Sequence, residues 1–64
     1  MAKKVKTVIE LLEANGWKHK RTKGDHRIYW KEGARRPVVV PGHLNDDMPE
    51  GTWKSIKKGA NLKD

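Results

Sequence analysis

The stretch Lys23–Trp30, with the sequence KGDHRIYW, joins a turn to an alternating strand and decides the fold. Glycine followed by aspartate favours a tight turn between two antiparallel strands. The apolar and aromatic residues that come next predict a strand over residues 26–31. Its period of two separates two faces. One face carries His26, Ile28 and Trp30, and the other carries Arg27, Tyr29 and Lys31.

The two neighbouring aromatic residues, Tyr29 and Trp30, point to opposite faces, and either ring is able to stack on the bases of a nucleic acid. In so small a core at least one of them should be structural. We expect Trp30 to lie inside with Ile28, and Tyr29 to lie on the open face. That choice places His26 on the buried side, unless the strand end escapes the core or a β-bulge shifts the alternation.

Two further strands flank this one. Residues 17–22 alternate, and we predict a mostly polar strand that Trp17 anchors to the core. Residues 37–40 begin with proline and continue with three valines, which predicts a third strand that ends at Pro41-Gly42. Residues 45–48 are polar, and we expect them to be irregular.

One amphipathic helix is predicted before the three strands and another after them. The first is predicted over residues 3–15, where an apolar stripe at helical spacing contains Val5, Val8, Ile9 and Leu12. The second is predicted from Pro49 or Gly51 to Lys58, with Gly59 as its stop signal. Its inner side carries Trp53, Ile56 and Ala60.

The predicted order is therefore helix, three strands and helix, in one domain over residues 1–64. Three antiparallel strands need their apolar face covered, and two amphipathic helices on one face provide that cover. This α+β arrangement, α-β-β-β-α, is also that of double-stranded-RNA-binding domains, although a fold alone does not establish a function.

The charge of the chain is strongly positive and unevenly distributed. Fifteen lysine and arginine residues stand against eight acidic residues, a formal net charge of +7. Residues 18–36 contain eight of these cations and only Asp25 and Glu32 as acids. Such a charge favours a polyanionic partner, which is nucleic acid, an acidic protein or an anionic membrane.

Other classes of protein are excluded or made less favourable by the composition. The chain has no cysteine, so it can form neither disulfides nor cysteine-based zinc sites. No apolar run approaches the roughly 20 residues that span a bilayer. We therefore expect a cytoplasmic protein without a membrane partner.

His26 is the candidate catalytic residue, because it follows a glycine turn, begins a strand and lies among cations. Histidine exchanges protons near neutral pH, and RNA carries its own nucleophile, the 2′-hydroxyl, so RNA cleavage needs no metal. The alternative is a strand-end histidine that packs or binds phosphate. His43 is a second candidate acid, base or substrate contact, or an ordinary loop histidine. His19 is an RNA contact at most.

The candidate RNA-binding residues form a basic set around the histidine. They are Lys20, Arg21, Lys23, Gly24, Arg27, Tyr29, Arg35 and Arg36. Contacts to phosphates supply affinity rather than base specificity. Any one of these cations alone is explained as a solvated side chain, but the cluster is not. The histidines and Asp25 lack the spacing of a familiar metal motif, so we expect neither a metal site nor a cofactor.

Four motifs resemble those of the HicA family, the toxin components of bacterial and archaeal toxin–antitoxin modules. Three are short: Gly16-Trp17, Lys23-Gly24-Asp25-His26 and Val40-Pro41-Gly42-His43. They are similar to the family's Gly-Trp, Lys-Gly-Ser-His and Val-Pro-x-His. The fourth, PEGTWKSI at residues 49–56, is similar to Pro-x-Gly-Thr-Leu-Arg-x-Ile. Each motif is weak alone, but four in this order are fairly specific, and the resemblance covers nearly the whole chain.

The resemblance implies an mRNA interferase, an endoribonuclease with a catalytic histidine at the position of His26, inhibited by a HicB-type antitoxin. Asp25 stands where the family commonly has serine. An acid at this position favours the charged imidazolium of His26 if the two side chains are close. If Asp25 points the other way, the replacement of serine by aspartate has no effect on the histidine. A non-catalytic RNA-binding module of the same fold and a small DNA-binding protein are the alternative functions.

Overall fold

The computed structural model describes residues 3–62 and contains the predicted helix, three strands and helix in that order, with two additional strands of two residues each. In chain order the elements are β1 (Lys3–Lys4), α1 (Val5–Ala14), β2 (Lys18–Lys23), β3 (His26–Trp30), β4 (Val38–Val40), β5 (Asp47–Met48) and α2 (Glu50–Ala60). Strands β2, β3 and β4 form one antiparallel sheet in that order. The predicted fold class, two helices and a three-stranded antiparallel sheet like that of double-stranded-RNA-binding domains, is confirmed.

The β2–β3 hairpin closes on a two-residue turn, Gly24-Asp25. Lys23 and His26, the residues on either side of it, are cross-strand partners. Gly24 has a φ of +62°, a left-handed conformation that glycine adopts without the steric cost of a side chain. The turn therefore brings His26 to the first pair of the hairpin.

A β-bulge interrupts β2 at Lys20, where the pairing register skips from His19 to Arg21. Strict alternation would place Arg21 on the face opposite Lys18. The extra residue shifts the phase of the strand, so Lys18, Arg21 and Lys23 share one face of the sheet.

The short strand β4 determines which face of the sheet is buried. Val38 and Val40 are buried, while Val39 between them is exposed. Tyr29 is the cross-strand partner of Val38 and therefore lies on the buried face, 3% exposed, whereas Trp30 is 39% exposed. The prediction of Trp30 inside and Tyr29 outside is wrong. The reason is that β4 offers two valines to the inner face and one to the outer, and β3 must follow its register.

One apolar core lies between the helices and this inner face of the sheet. Helix α1 contributes Val5, Val8, Ile9 and Leu12, and helix α2 contributes Trp53, Ile56 and Ala60. These side chains belong to the same buried cluster as Tyr29 and the two inner valines of β4. Burial of this apolar surface is the main stabilising term for such a domain. Both helices thus cover one face and leave the opposite face, which carries His26, to solvent.

The first helix begins later than predicted because the residues before it are extended. Lys3–Lys4 pair with Asp47–Met48 in a two-stranded antiparallel ribbon, and the helix starts at Val5. Residues 45–48 are therefore not wholly irregular. A two-residue pairing between segments more than 40 residues apart leaves no local pattern in the sequence.

The second helix extends beyond its predicted end. Gly59 lies within it, and the left-handed residue that ends it is Asn61, with a φ of +55°. Asparagine tolerates this conformation better than most residues. The backbone N–H of Leu62 then donates to the carbonyl oxygen of Lys57 at 2.9 Å. The two additional helical residues and the cap that follows them place Ala60 and Leu62 in the core.

Candidate functional site

His26 begins β3 on the face of the sheet that the helices do not cover, which we call the open face. Its side chain is about half-exposed, and the carboxylate of Asp25 lies beside it. Asp25 Oδ1 is 2.8 Å from His26 Nδ1. Of the two arrangements that the sequence leaves open, the structure therefore has Asp25 turned toward the histidine.

This contact determines which nitrogen of the imidazole is free. An ionised carboxylate accepts hydrogen bonds and cannot donate them. Nδ1 of His26 therefore carries a proton, and Nε2 of the neutral ring keeps its lone pair. Because both side chains are about half-exposed, the pair adds little to the stability of the fold. Its effect is to hold the ring in one tautomer and one orientation.

A row of cations from β2 lies on the open face with His26. Lys23 is the direct cross-strand partner of His26. The β-bulge brings the others to the same side, and the four cations are Lys18, Lys20, Arg21 and Lys23. All four are exposed. Positive charge therefore runs along β2 beside the histidine, where it attracts the phosphates of a polyanion.

Apolar side chains occupy the rest of the open face. Ile28 is half-buried there, and its cross-strand partner Val39 is exposed, as is Trp30. The Nζ atom of Lys20 lies 5.7 Å from the centroid of the Trp30 ring, in a cation–π contact. Sequence reasoning placed Trp30 in the core and did not single out Lys18, because both positions depend on the register of the hairpin rather than on local composition.

His43 lies at the end of the sheet where β3 begins. Extension of the β3–β4 register brings Pro41 opposite His26, and His43 follows two residues later. The loop there is ordered by reciprocal hydrogen bonds. The backbone N–H of His43 donates to Asp46 Oδ2 at 3.1 Å, and the backbone N–H of Asp46 donates to the carbonyl oxygen of His43 at 3.0 Å. The imidazole of His43 is exposed at the same end of the sheet as His26.

Two of the predicted RNA-binding residues lie on the inner face instead. Arg27 is half-buried, and its Nη1 donates to the carbonyl oxygen of Gly42 at 3.2 Å, which ties β3 to the loop after β4. Tyr29 is in the core. Burial raises the pKa of Tyr29, the charge of Glu13 raises it further, and Arg27 opposes both effects. As a correction, the structure does not place Arg27 or Tyr29 on the open face, and the buried ring offers no surface for base stacking.

Two other predicted cations are at a distance from the turn. Arg35 and Arg36 lie in the loop between β3 and β4, at the end of the sheet opposite Gly24-Asp25. Together with Trp17 and Lys31 they line a groove of about 820 Å³ beside the second half of α2. The structure therefore keeps Lys20, Arg21, Lys23 and Gly24 near the histidine but separates the two loop arginines from it.

His19 points to the face opposite His26. Its Nε2 lies 2.7 Å from Thr22 Oγ1, and its ring meets that of Tyr29 edge-on, with 5.5 Å between centroids. Within residues 3–62, no three or more histidine, cysteine or acidic side chains are grouped so as to hold a metal ion.

Comparison with models of protein families identifies the family of this chain. Residues 5–62 match the model described as the HicA toxin of bacterial toxin–antitoxin modules. The chain belongs to the HicA toxin family. The match spans both helices and the three-stranded sheet, which confirms the resemblance seen in the short motifs. No individual curated protein matches the chain.

Membership of the HicA family gives the chain the role of a toxin in a toxin–antitoxin module, with a cognate antitoxin as partner. Two of the HicA-like motifs, at residues 23–26 and 40–43, meet at one end of the sheet, and a third, at residues 49–56, begins helix α2. Neither helix within residues 3–62 has the length and apolar character needed to cross a membrane.

Proposed function

We propose that this HicA family toxin is an mRNA interferase, an endoribonuclease that cleaves RNA with His26 and without a metal ion. The observation that carries the proposal is the 2.8 Å contact between Asp25 Oδ1 and His26 Nδ1, on a face with a row of cations. The contact leaves Nε2 free to act as a base, and the cations bring phosphates to it.

The substrate supplies the nucleophile in this reaction. Nε2 of His26 accepts the proton of a 2′-hydroxyl, and the oxygen attacks the adjacent phosphorus. The O2′–P bond forms while the P–O5′ bond breaks, and the departing O5′ takes a proton. The products are a fragment with a cyclic 2′,3′-phosphate and a fragment with a free 5′-hydroxyl. His43, at the same end of the sheet, is the candidate donor of the second proton.

Positive charge is the other requirement of the reaction, because negative charge accumulates on the phosphate oxygens in the transition state. Lys23 stands directly across the hairpin from His26. Arg21 follows on the same face, and a guanidinium binds two phosphate oxygens at once. Contacts of this kind do not read the sequence of the RNA.

The test is cleavage of a labelled mRNA in the presence of EDTA by the wild type and by His26→Ala. A positioned general base contributes about 100- to 10,000-fold to a rate, so His26→Ala should lose that much while its affinity for RNA changes little. His19→Ala is the matched control, because it removes a histidine whose ring packs against Tyr29 and does not lie beside His26. It should cut within a few-fold of the wild-type rate.

Other outcomes would contradict the proposal. Equal cutting by the wild type and His26→Ala would assign the activity to a contaminant or to another residue, and His43→Ala would be the next variant. Binding of RNA without any cutting would favour the second candidate function, a non-catalytic RNA-binding module. The row of cations on β2 supports that candidate independently of His26.

We infer further that the cognate antitoxin is of the HicB type and silences the toxin by covering the open face around His26. The same exposed cations that suit RNA suit an acidic segment of a protein, since both carry negative charge in a row. An antitoxin bound there would exclude mRNA from the histidine.

A further inference from the structure

We propose that the groove beside Trp30 is a subsite for one unpaired base of single-stranded RNA, separate from the cutting site at His26. We call it the Trp30 groove. It has a volume of about 670 Å³ and is lined by Trp30 together with Gly16, Lys18, His19, Lys20, Lys31 and Glu32. Its substrate class rests on the proposed ribonuclease function, but its residues are not those that carry out the cleavage.

The ring of Trp30 is available to a ligand in a way that the other tryptophans are not. Trp30 is 39% exposed, whereas Trp17 and Trp53 are 4% and 5% exposed and belong to the core. An exposed aromatic ring on a sheet is a surface on which bases of any sequence stack, since every base has a π-face. A groove of this volume is within the range of sites that hold small ligands the size of a nucleotide.

Three lysines, against the single acid Glu32, line the groove that holds this ring. Lys18 is the cross-strand partner of Trp30, Lys31 follows Trp30 in the chain, and Lys20 Nζ lies 5.7 Å from the ring centroid. A base carries a phosphate on either side, so this surrounding of positive charge fits a nucleotide. An aliphatic peptide segment would instead bury the three ammonium groups without a partner, which is costly.

The β-bulge is the structural device that assembles the groove. Bulges are frequent near functional sites because the extra residue re-aims a side chain. Here the extra residue is Lys20, and its ammonium lies over Trp30. A cation–π contact at an exposed site is weak. An incoming base therefore displaces Lys20 from the ring at little cost, and the long side chain is free to bind the adjacent phosphate.

The position of the groove along β3 gives it a role in positioning. Trp30 is four residues from His26 on the same face, which corresponds to about 13 Å at roughly 3.3 Å per residue. The stacked base is thus not the nucleotide that is cut. It fixes where along the strand the cut falls, and it requires unpaired RNA, because the bases of a duplex are already stacked on one another.

The experiment measures binding rather than cleavage, in the His26→Ala background so that the RNA stays intact. The probe is a labelled single-stranded ribo-oligonucleotide, and its dissociation constant is measured by fluorescence anisotropy. Trp30→Ala should weaken binding at least about fivefold. This factor is the lower end of the range for alanine substitution of one aromatic residue that stacks on a base. Trp30→Phe retains a ring and should stay within about threefold of the parent.

Two controls separate stacking from a general loss of surface. Val39→Ala removes an exposed apolar side chain from the same face but outside the groove, and it should bind like the parent. The oligonucleotide should quench tryptophan fluorescence in the parent and not in Trp30→Phe, because Trp17 and Trp53 are buried. A fully paired RNA duplex should bind Trp30→Ala and the parent with equal affinity.

Unchanged affinity of Trp30→Ala for the single strand would overturn the proposal, as would quenching that persists in Trp30→Phe. Loss of antitoxin binding with intact RNA binding would make the groove a protein contact and overturn it as well. The experiments can disprove the ribonuclease function and the Trp30 subsite independently of each other. If the wild type never cuts RNA but Trp30→Ala weakens binding, the subsite stands and the ribonuclease does not; if the wild type cuts and Trp30→Ala binds normally, the reverse is true.

Discussion

Asp25 and His26 are neighbours in the sequence, and neighbours in a regular strand point to opposite faces. Their side chains nevertheless meet at 2.8 Å, because Asp25 belongs to the turn and His26 to the strand. The HicA motif commonly has serine at the position of Asp25, and a serine hydroxyl also accepts a hydrogen bond. The common property of the position is therefore an acceptor for the Nδ1 proton of the histidine.

This property predicts the behaviour of two variants of Asp25. Asp25→Ala should lower kcat about tenfold and leave KM nearly unchanged, because it removes the group that orients His26 without removing a cation. Asp25→Ser should keep most of the activity, since its hydroxyl replaces the acceptor. Thermal unfolding should move little in either variant, because an exposed pair contributes at most about 1 kcal/mol.

A merely structural role for Asp25 would leave the imidazole unchanged, so the ring itself is the second readout. Nitrogen-15 chemical shifts of His26 should show the Nδ1–H tautomer in the wild type and in Asp25→Ser, and a shift toward the Nε2–H tautomer in Asp25→Ala. Equal tautomer populations and equal kcat in all three proteins would contradict the positioning role.

At the scale of the element, the β2–β3 hairpin depends on one extra residue. Lys18 and Arg21 are three positions apart, and three positions in a regular strand lead to opposite faces. The bulge at Lys20 adds one step, so both cations reach the open face. The same shift puts His19 and Thr22 on the other face, where His19 Nε2 lies 2.7 Å from Thr22 Oγ1 and both residues are exposed. A single irregularity thus sorts the strand into a basic side and a neutral side.

The bulge gives a prediction about deletion. Removal of Lys20 leaves a regular strand in which His19, Arg21 and Lys23 keep their present partners, because the register already skips that residue. The deleted protein should therefore fold with the same hairpin register, seen as unchanged cross-strand nuclear Overhauser contacts between β2 and β3. Its affinity for single-stranded RNA should fall by a similar factor to that of Lys20→Ala, about two- to fivefold for one phosphate contact.

Lys20→Ala is the matched control, since it keeps the bulge and removes the charge. A deletion protein that binds RNA much more weakly than Lys20→Ala would show that the bulge itself, and not only its ammonium, shapes the face. A changed register would show that the bulge is needed to pair the hairpin correctly.

At the scale of the whole molecule, the two faces of the sheet have opposite functions. The inner face carries the core that both helices cover, and the open face carries His26, the row of cations and the exposed Trp30. The formal net charge of +7 is therefore concentrated by the fold as well as by the sequence. The antitoxin contact that we propose would cover this open face.

This arrangement predicts how the antitoxin complex responds to salt. Affinity for the antitoxin should fall about tenfold or more between about 0.01 M and 1 M salt, because the Debye length shrinks from about 30 Å to about 3 Å over that range. Backbone amides of β2 and β3 should gain protection from hydrogen exchange in the complex, while those of α1 should not. Binding that is indifferent to salt and leaves His26 exposed would contradict the proposed mode of inhibition.

Local patterns in the sequence determined much of this protein. Three local patterns each indicate a backbone period or a turn. They are the helical apolar stripe of Val5, Val8, Ile9 and Leu12, the Gly24-Asp25 turn and the three valines of β4. They were sufficient for the order of the main elements and the antiparallel sheet. The four HicA-like motifs, taken together in their order along the chain, were sufficient for the family, although each is weak alone.

Only the tertiary structure decided which side of each element faces the core. A period of two divides β3 into two faces but does not say which is buried, and the answer came from Val38 and Val40, which are paired with it across the sheet. That pairing put Tyr29 inside and left Trp30 open. The bulge at Lys20 and the pairing of Lys3–Lys4 with Asp47–Met48 are likewise absent from any local pattern. Register and burial depend on partners distant in the chain, so they are settled only when all the strands and helices pack together.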